Sequence, residues 1–468
     1  MDSAKALSII SKIEEERGDS CAELQIDEIP LWNVVRTSLY SHLTGDFSSR
    51  YANSKSLRML SMMASSLLNF RLPKENKILA ISANTTRRKF EGSEFDIYID
   101  WIGKLTRYSY SIIEIPNVSV PNPRKNVFTK QRISGMNLLT KSLIKAGGHQ
   151  KRTDAVLSKI KNLIVGFLDS SAAERFTASI RKVIPRYIAL VSLMKDLLDW
   201  LTPKLILEVC SYNLSSRALT YAAKLREIPV VEIQHGIINR FHAGYIYKHG
   251  VVRIDTPDEM LVYGEAFREV LISESVLYRP ENIHVVGNYY IESVRNAPAI
   301  LEVQGIKDDS KGRQVALITT QPIYEAKAYV EAVASLSKRG YFVIIKPHPS
   351  EQKDKYATLR NKNVIVSTFS VFELLKIADI HLTISSTCAL DALQYSVPTV
   401  VLRFEDHQKH LEALKGFSGV VFQERSVGEA IDKCTSQNLT FVDDRFMVND
   451  SGARLVSVLD KLLEGHLE

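Results

Sequence analysis

The sequence predicts an α/β protein of two domains, each built on a parallel sheet, with extra helices at the N-terminus. Three observations carry this. The chain has 468 residues, more than one compact core accommodates. Apolar residues make up 45% of it and charged residues 24%, the composition of a chain that buries cores rather than staying disordered. From Pro203 onward, short apolar runs alternate with helix-length stretches, the pattern of strands joined by crossover helices.

Taken in order, residues 4–16 and 30–43 place apolar side chains at helical spacing. Residues 54–70 do so as well, with Leu57, Met59, Leu60, Met62 and Met63 between Lys55 and Arg71. That helix reads as core or as one lying on a membrane surface. Residues 78–82 form a buried strand leading into Asn84-Thr85-Thr86, and 108–115 form a second. Between Glu114 and Asp154 there is no acidic residue, while Arg124, Lys125, Lys130, Arg132, Lys141, Lys145, Lys151 and Arg152 accumulate. This stretch reads as a solvated insertion, or as a patch for anionic lipid or a polyanionic acceptor. Helices are predicted over 153–167 and 174–200.

Strands follow at 205–209, 230–233, 260–263 and 283–286. A helix over 215–226 turns Ala218, Tyr221, Ala222 and Leu225 inward. Residues 291–313, with Pro298, Gly305 and Gly312, lose the rhythm and read as a linker. The first domain is therefore expected over 1–290, the second over 314–445, and a terminal helix over 446–468. The second domain repeats the scheme, with strands at 315–319, 341–346, 364–367, 380–384 and 399–402. Its helices are expected at 324–338, 371–376 and 388–395.

Charge narrows the partners. Sixty Lys and Arg stand against 53 acidic residues, a net +7. That excess suits anionic small molecules or an anionic membrane and falls short of a nucleic-acid binder. Cys21, Cys210, Cys388 and Cys434 are too far apart for a disulfide framework or a zinc site. No signal-like apolar core follows Met1, and no apolar run is long enough to span a bilayer. The expected place is the cytoplasm, with contact at most peripheral to the inner face of the membrane.

In open parallel sheets ligands bind at the carboxyl ends of strands, and three clusters fall there. Gln234-His235-Gly236 follows a strand, and Gly236 would allow a tight turn that leaves His235 at the tip. With an ordinary pKa near 6.5, His235 suits taking a proton from an acceptor hydroxyl, or it simply braces the turn. Lys346-Pro347-His348-Pro349-Ser350-Glu351 leaves another strand with two prolines holding the histidine in a rigid exit. A rigid His348 beside Lys346 suits a phosphate, with Glu351 toward a ribose. Ser385-Ser386-Thr387 open a helix that carries Asp391, which offers an anion site or ordinary capping. A fourth candidate is the charged segment 87–96, where Arg87 and Arg88 would bind acceptor or pyrophosphate and Glu91, Glu94 or Asp96 could replace His235 as base. No Walker, HExxH, GxGxxG or GxSxG motif is present, and no Asp-x-Asp stands at a strand end to hold a metal-bound diphosphate.

Together, Gln-His-Gly after a strand, Lys-Pro-His-Pro after a strand, and Ser-Ser before a helix ending in Val-Pro resemble the GT-B glycosyltransferases of bacterial surface polymers. That group includes capsule polysaccharide synthesis proteins, CDP-glycerol glycerophosphotransferases, and sialyl- and Kdo-transferases that use CMP-sugars. The likeness spans roughly 205–402 and implies two Rossmann-like domains facing a cleft. It implies a metal-independent transfer, without cofactor, from a nucleotide-sugar donor to a surface-polysaccharide or lipid-linked acceptor. His348, Ser385, Ser386 and Thr387 would hold the donor phosphate with Lys346, and Glu351 or Asp391 the ribose. His235 would be the acceptor-side histidine, with Gln234 and Gly236 beside it. Two departures stand out: Ser396 precedes Val-Pro where glycine is common, and Asp391 stands where glutamate is commoner. The alternatives are glycerol-phosphate transfer, a nucleotide-sugar epimerase, or a non-catalytic binding subunit of a capsule assembly complex.

Overall fold

The computed structural model describes residues 1–45, 77–116, 127–129, 131–249, 253–348, 351–352, 354–404, 411, 414–415, 417–437 and 445–464. The helix expected over 54–70 and the basic residues Arg124, Lys125 and Lys130 lie outside them. The chain divides into two compact units. One comprises Met1–Val262, Phe267–Val286 and Gly452–Glu468, the other Tyr263–Ala266 and Gly287–Ser451.

The strands of the first unit are, in chain order, β1 (Gln25–Ile26), β2 (Ile29–Pro30), β3 (Ile78–Ala83), β4 (Arg87–Phe90), β5 (Ser93–Asp96), β6 (Tyr110–Ile115), β7 (Arg132–Ser134), β8 (Leu205–Val209), β9 (Val230–Ile233), β10 (Glu259–Val262) and β11 (Ile283–Val285). Seven of them form one sheet in the order β11-β10-β9-β8-β3-β6-β7, parallel throughout. The chain runs outward from β3 through β6 to β7, then returns to β8 on the other side of β3. The loops after β3 and β8 therefore part from each other and leave a crevice between them. Strands such as ILAISA and LILEV are buried along nearly their whole length, as strands of a parallel sheet covered on both faces are. The helix Val183–Leu201 is buried on nearly every face, packed against Gly135–Ala146 and Leu214–Lys224. Arg36, fully buried, ties the N-terminal helices together. Its Nε donates to Glu14 at 2.8 Å, and its guanidinium stacks over Tyr247 at 3.8 Å.

The second unit holds β12 (Val315–Thr319), β13 (Phe342–Lys346), β14 (Val364–Val366), β15 (Ile380–Thr383), β16 (Thr399–Val401) and β17 (Val420–Phe422). They form a parallel sheet in the order β14-β13-β12-β15-β16-β17. The crevice here lies between β12 and β15. One apolar cluster packs on each face of this sheet. His381 sits inside it, fully buried, between Thr319 (2.8 Å) and Thr399 (3.1 Å). Burial holds its imidazole down at about 3, so it is neutral and structural.

Several expectations are corrected. The segment taken as a linker, 291–313, is largely two helices, Tyr289–Asn296 and Leu301–Asp309. The single helix over 174–200 is two, Ser170–Ile180 and Val183–Leu201. Leu225 lies past the end of its helix and is 44% exposed. Where it is described, the basic stretch read as an insertion carries β7, the helix Gly135–Ala146 and the start of the helix Gln150–Ile164. Part of its charge is neutralised, Arg132 by Glu114 at 3.0 Å and Arg152 by Asp27. Residues 87–96 form the antiparallel hairpin β4–β5. The strand β17 and the helix Val427–Thr435 had no counterpart in the sequence reading. Within the described residues, no helix is long and apolar enough to cross a membrane.

Candidate active site: two strand-end clusters

In the first unit a pocket of about 620 Å³ opens at the crevice between β3 and β8. Its wall comes from the ends of these strands (Ile81, Ser82, Ala83, Val209, Cys210), from Thr86, Arg88 and Tyr98, and from Arg186 and Leu190 of the long helix. Asn213, Leu214 and Ser215 add the N-terminus of the helix Leu214–Lys224, where Asn213 accepts from the Ser216 N–H at 2.9 Å. His235 completes the lining. Two arginines and no carboxylate face this space among the described residues, so it suits an anionic or polyhydroxylated ligand. Cys210 takes φ +69, a left-handed conformation that costs a non-glycine residue strain and turns the chain sharply out of β8.

His235 follows β9 as the sequence predicted. Tyr212 Oη lies 3.1 Å from its Nε2 and Tyr245 Oη 3.2 Å from its Nδ1, while Tyr98 donates to its backbone carbonyl at 3.0 Å. Burial pushes the imidazole down to about 4, so near neutral pH it is uncharged and able to accept a proton. Gln234 is fully buried and donates to the Gly236 carbonyl at 2.8 Å, bracing the loop rather than meeting a ligand. Gly236 does not take a left-handed φ, and a Cβ there would meet open space. The bend there does not need glycine; what Gly236 contributes is a bare backbone beside His235.

The hairpin residues separate. Arg88 lines the pocket and donates to the Thr85 carbonyl at 2.8 Å. Arg87 is buried and paired with Glu114, so it stiffens the wall instead of reaching acceptor. Asp96 is buried too, accepting from Thr86 (2.6 Å) and the Tyr98 N–H (3.0 Å), and it positions those two lining residues. Burial raises its pKa against those hydrogen bonds. Neighbouring Asp100 is pushed up to about 7, by burial first and then by Asp96. Glu94 is half-buried on β5, across from Lys89, and is not among the pocket residues; Glu91 pairs with Lys104 at the hairpin tip.

In the second unit the ends of β12, β13 and β15 carry the other cluster. The strand order puts β12 between the strands that lead into the His348 and Ser385 loops. Tyr324, from the loop after β12, bridges this gap, with its hydroxyl 2.9 Å from Ser385 Oγ. Glu351 has a side chain only 1% exposed and braces the chain at His348. It accepts from the His348 N–H (2.7 Å), Lys355 (2.9 Å), Tyr356 (2.7 Å) and Thr320. Burial alone would raise its pKa, but the hydrogen bonds from Thr320, Tyr356, Lys355 and the His348 N–H outweigh burial and hold it below the usual range. The expectation that Glu351 meets a ribose is corrected, since all its acceptor positions are engaged. Lys346 donates to the Pro347 carbonyl at 2.7 Å, and His348 is exposed. Ser386 is buried, and its Oγ accepts from the Cys388 N–H at 3.2 Å, a capping role. Thr387 is exposed, and Asp391 lies within the seven-residue helix Cys388–Gln394. Ser396 takes φ +55, so the turn that commonly carries glycine forms with serine.

Sequence reasoning missed Tyr98, Arg186, Asn213, Tyr212 and Tyr245 in the first unit, and Thr320, Tyr324 and Tyr356 in the second. Asn213 carried a signal, an Asn before a helix one loop past a strand; the tyrosines belong to no motif. Among the described residues, no group of three or more His, Cys, Asp or Glu is placed to hold a metal ion.

Residues 315–371 match the alpha-2,8-polysialyltransferase family, a span running from β12 to the start of the helix Val371–Leu375 and including Lys346, His348 and Glu351. No curated protein matches the chain in sequence. Among solved structures, a putative UDP-N-acetylglucosamine 2-epimerase from Listeria monocytogenes is 10% identical, with 84% of this chain and 97% of that one covered and a TM-score of 0.52. MnaA of S. aureus, solved with UDP, is 12% identical, with 83% and 97% covered and a TM-score of 0.50. The calicheamicin glycosyltransferase CalG4 is 13% identical, with 85% and 100% covered and a TM-score of 0.48. Together with the two sheet orders, in each of which the chain runs outward from a central strand and returns on its other side, the first two likenesses show the architecture: this is a GT-B fold of two Rossmann-like units.

Proposed function

We propose that the chain is a glycosyltransferase that moves a sugar from a nucleotide-activated donor to a glycan acceptor. The observation that carries this reading is the polysialyltransferase match over 315–371, because it includes the Lys346-Pro347-His348 exit from β13. In this reading the donor phosphate meets His348 and the Ser385 hydroxyl, and Lys346, Thr387 and Asp391 lie in the same strand-end region. The acceptor enters the first unit's pocket, where Arg88 and Arg186 offer charge and His235 takes the proton of the attacking hydroxyl. His348 shields the negative charge that develops on the departing nucleotide. The finer expectations are a metal-independent, cofactor-free reaction on a surface-polysaccharide or lipid-linked acceptor at the inner face of the cytoplasmic membrane. The second reading is a nucleotide-sugar epimerase, favoured by the name of the Listeria monocytogenes structure, a putative UDP-N-acetylglucosamine 2-epimerase.

The test is transfer from CMP- and UDP-sugars to oligosaccharide acceptors, followed by mass spectrometry. Elongated acceptor supports the transferase; donor isomerised in the absence of acceptor supports the epimerase and rejects the transferase. His348→Ala is expected to lower transfer by roughly 10²-fold with the fold intact, the scale of removing one preorganised donor from a developing charge. Full activity in that variant removes His348 from the site.

A further inference from the structure

The imidazole that faces the first unit's pocket is held by groups the proposed reaction does not itself use. Glu232 lies on β9, three residues before His235, and is fully buried. Its Oε1 accepts from the Ser211 backbone N–H at 3.0 Å and from the Tyr245 hydroxyl at 2.9 Å; its Oε2 accepts from the Tyr278 hydroxyl at 3.0 Å. The same Tyr245 oxygen lies 3.2 Å from His235 Nδ1. One hydroxyl thus spans a buried carboxyl group and one nitrogen of the candidate base.

Proton counting makes this directional. The Ser211 N–H can only donate, so Glu232 Oε1 must remain an acceptor. Burial raises the Glu232 pKa, while hydrogen bonds from the Ser211 side chain and backbone, Tyr245 and Tyr278 stabilise its ionised form. As a carboxylate Glu232 can only accept, and it is Oε1 that Tyr245 faces. Tyr245 has a single proton and spends it on Glu232, so it presents a lone pair to the imidazole. The neutral ring answers with Nδ1–H, which leaves the basic lone pair on Nε2, where the Tyr212 hydroxyl donates from 3.1 Å. Neutral imidazoles in water favour the opposite tautomer, so the protein must supply the preference.

We propose that Tyr245 is a positioning residue that transmits the hydrogen-bond polarity of Glu232 to His235, fixing the Nδ1–H tautomer and making Nε2 the proton-accepting atom. Buried hydrogen bonds of this kind polarise one another, so Glu232 also raises the basicity of a ring that burial alone would weaken. The packing is consistent with a fixed post. Tyr245 is 2% exposed and its ring lies edge-on to Tyr212, 5.6 Å between centroids. A Cβ on neighbouring Gly244 would come within 2.3 Å of the Tyr212 ring, so the glycine lets Tyr212 close onto the imidazole.

The test is the ring-nitrogen NMR of the full-length protein labelled with ¹⁵N-histidine, with the His235 signals among the 11 histidines identified by their loss in His235→Gln. In the wild-type chain, His235 Nδ1 is expected to show a pyrrole-type shift and Nε2 a pyridine-type shift. Tyr245→Phe is expected to reverse or mix the two, while Tyr278→Phe, which removes a different donor from Glu232, leaves them unchanged. A wild-type His235 carrying its proton on Nε2, or a Tyr245→Phe spectrum identical to wild type, overturns the proposal whether or not the chain transfers sugar. The kinetic arm rests on the transferase reading and uses CMP-sialic acid with oligosialic acid. There, Tyr245→Phe is expected to lower kcat roughly tenfold, part of the 10²–10⁴ that a positioned base supplies, with donor KM unchanged. The double variant with His235→Gln is expected to fall no further than His235→Gln alone. Additive losses in the double variant overturn the coupling. Absence of transfer by the wild-type protein rejects the transferase reading and leaves the tautomer result standing.

Discussion

Replacing Glu351 with glutamine tests whether this carboxylate holds His348, Thr320, Lys355 and Tyr356 together. The substitution keeps the shape and turns one acceptor oxygen into an NH₂ group. If the NH₂ takes the Oε1 place, Tyr356 can rotate its hydroxyl to accept, but the Lys355 ammonium is opposed. If it takes the Oε2 place, Thr320 can rotate likewise, but the His348 N–H faces a donor. Either way one hydrogen bond is lost outright and the remainder lose their charge. An unmet donor beside a side chain 1% exposed costs about 1–3 kcal/mol, so the sum should reach about 2–3 kcal/mol. For a domain of this size that lowers Tm by roughly 5–10 °C.

The pH dependence gives a second reading of the same group. Its folded pKa lies below the unfolded one, so the unfolded chain binds more protons in the window between them. The stability Glu351 contributes is complete above the unfolded value, near 4.5, and is lost as pH falls through the folded one. Thermal melts from pH 3 to 7 should show an acid-side slope that is shallower in Glu351→Gln. A variant that melts within a degree of wild type, with the slope unchanged, would refute the bracing role.

Three further outcomes follow from the geometry. Asp100→Asn should flatten the fall in stability on raising pH from about 4 to 7; a carboxyl lifted to about 7 by burial and by Asp96 favours the folded state only while protonated, so urea melts across that window report it. Ser396→Gly should raise stability by about 0.5–1 kcal/mol, since glycine adopts the φ +55 turn without the Cβ penalty, and a lower midpoint in denaturant would contradict this. His235→Gln should abolish most acceptor-dependent transfer while the shift in Tm produced by a bound nucleotide persists, since a ligand that prefers the native state still stabilises it; loss of the nucleotide shift would move His235 out of an acceptor-side role.

The amino-acid order by itself determined the parallel sheets, because strands buried on both faces must read as apolar runs such as ILAISA, VALIT and FVIIK. It also located His235 and His348, since the carboxyl end of such a strand is where a sheet exposes chemistry. It misread 291–313, where Pro298 and Gly305 suggested a linker but two short helices form, and 87–96, where a run of charges concealed a hairpin. Only tertiary structure decided which polar groups are available. Arg87, Asp96, Gln234 and Glu351 look as functional as Arg88 and His235 in the sequence, yet each is already engaged by a hydrogen-bond partner within its own unit, some from the same loop and some from another element. The strand order likewise could not be read from the chain, so neither could the crevices beside β3 and β12 or the Tyr324 bridge to Ser385. The reason is physical: local patterning reports which face of an element is buried, whereas the state of a charged or hydroxyl group depends on the partner that desolvates it, and that partner lies 10 residues away for Tyr245 and His235 and 61 for Tyr324 and Ser385.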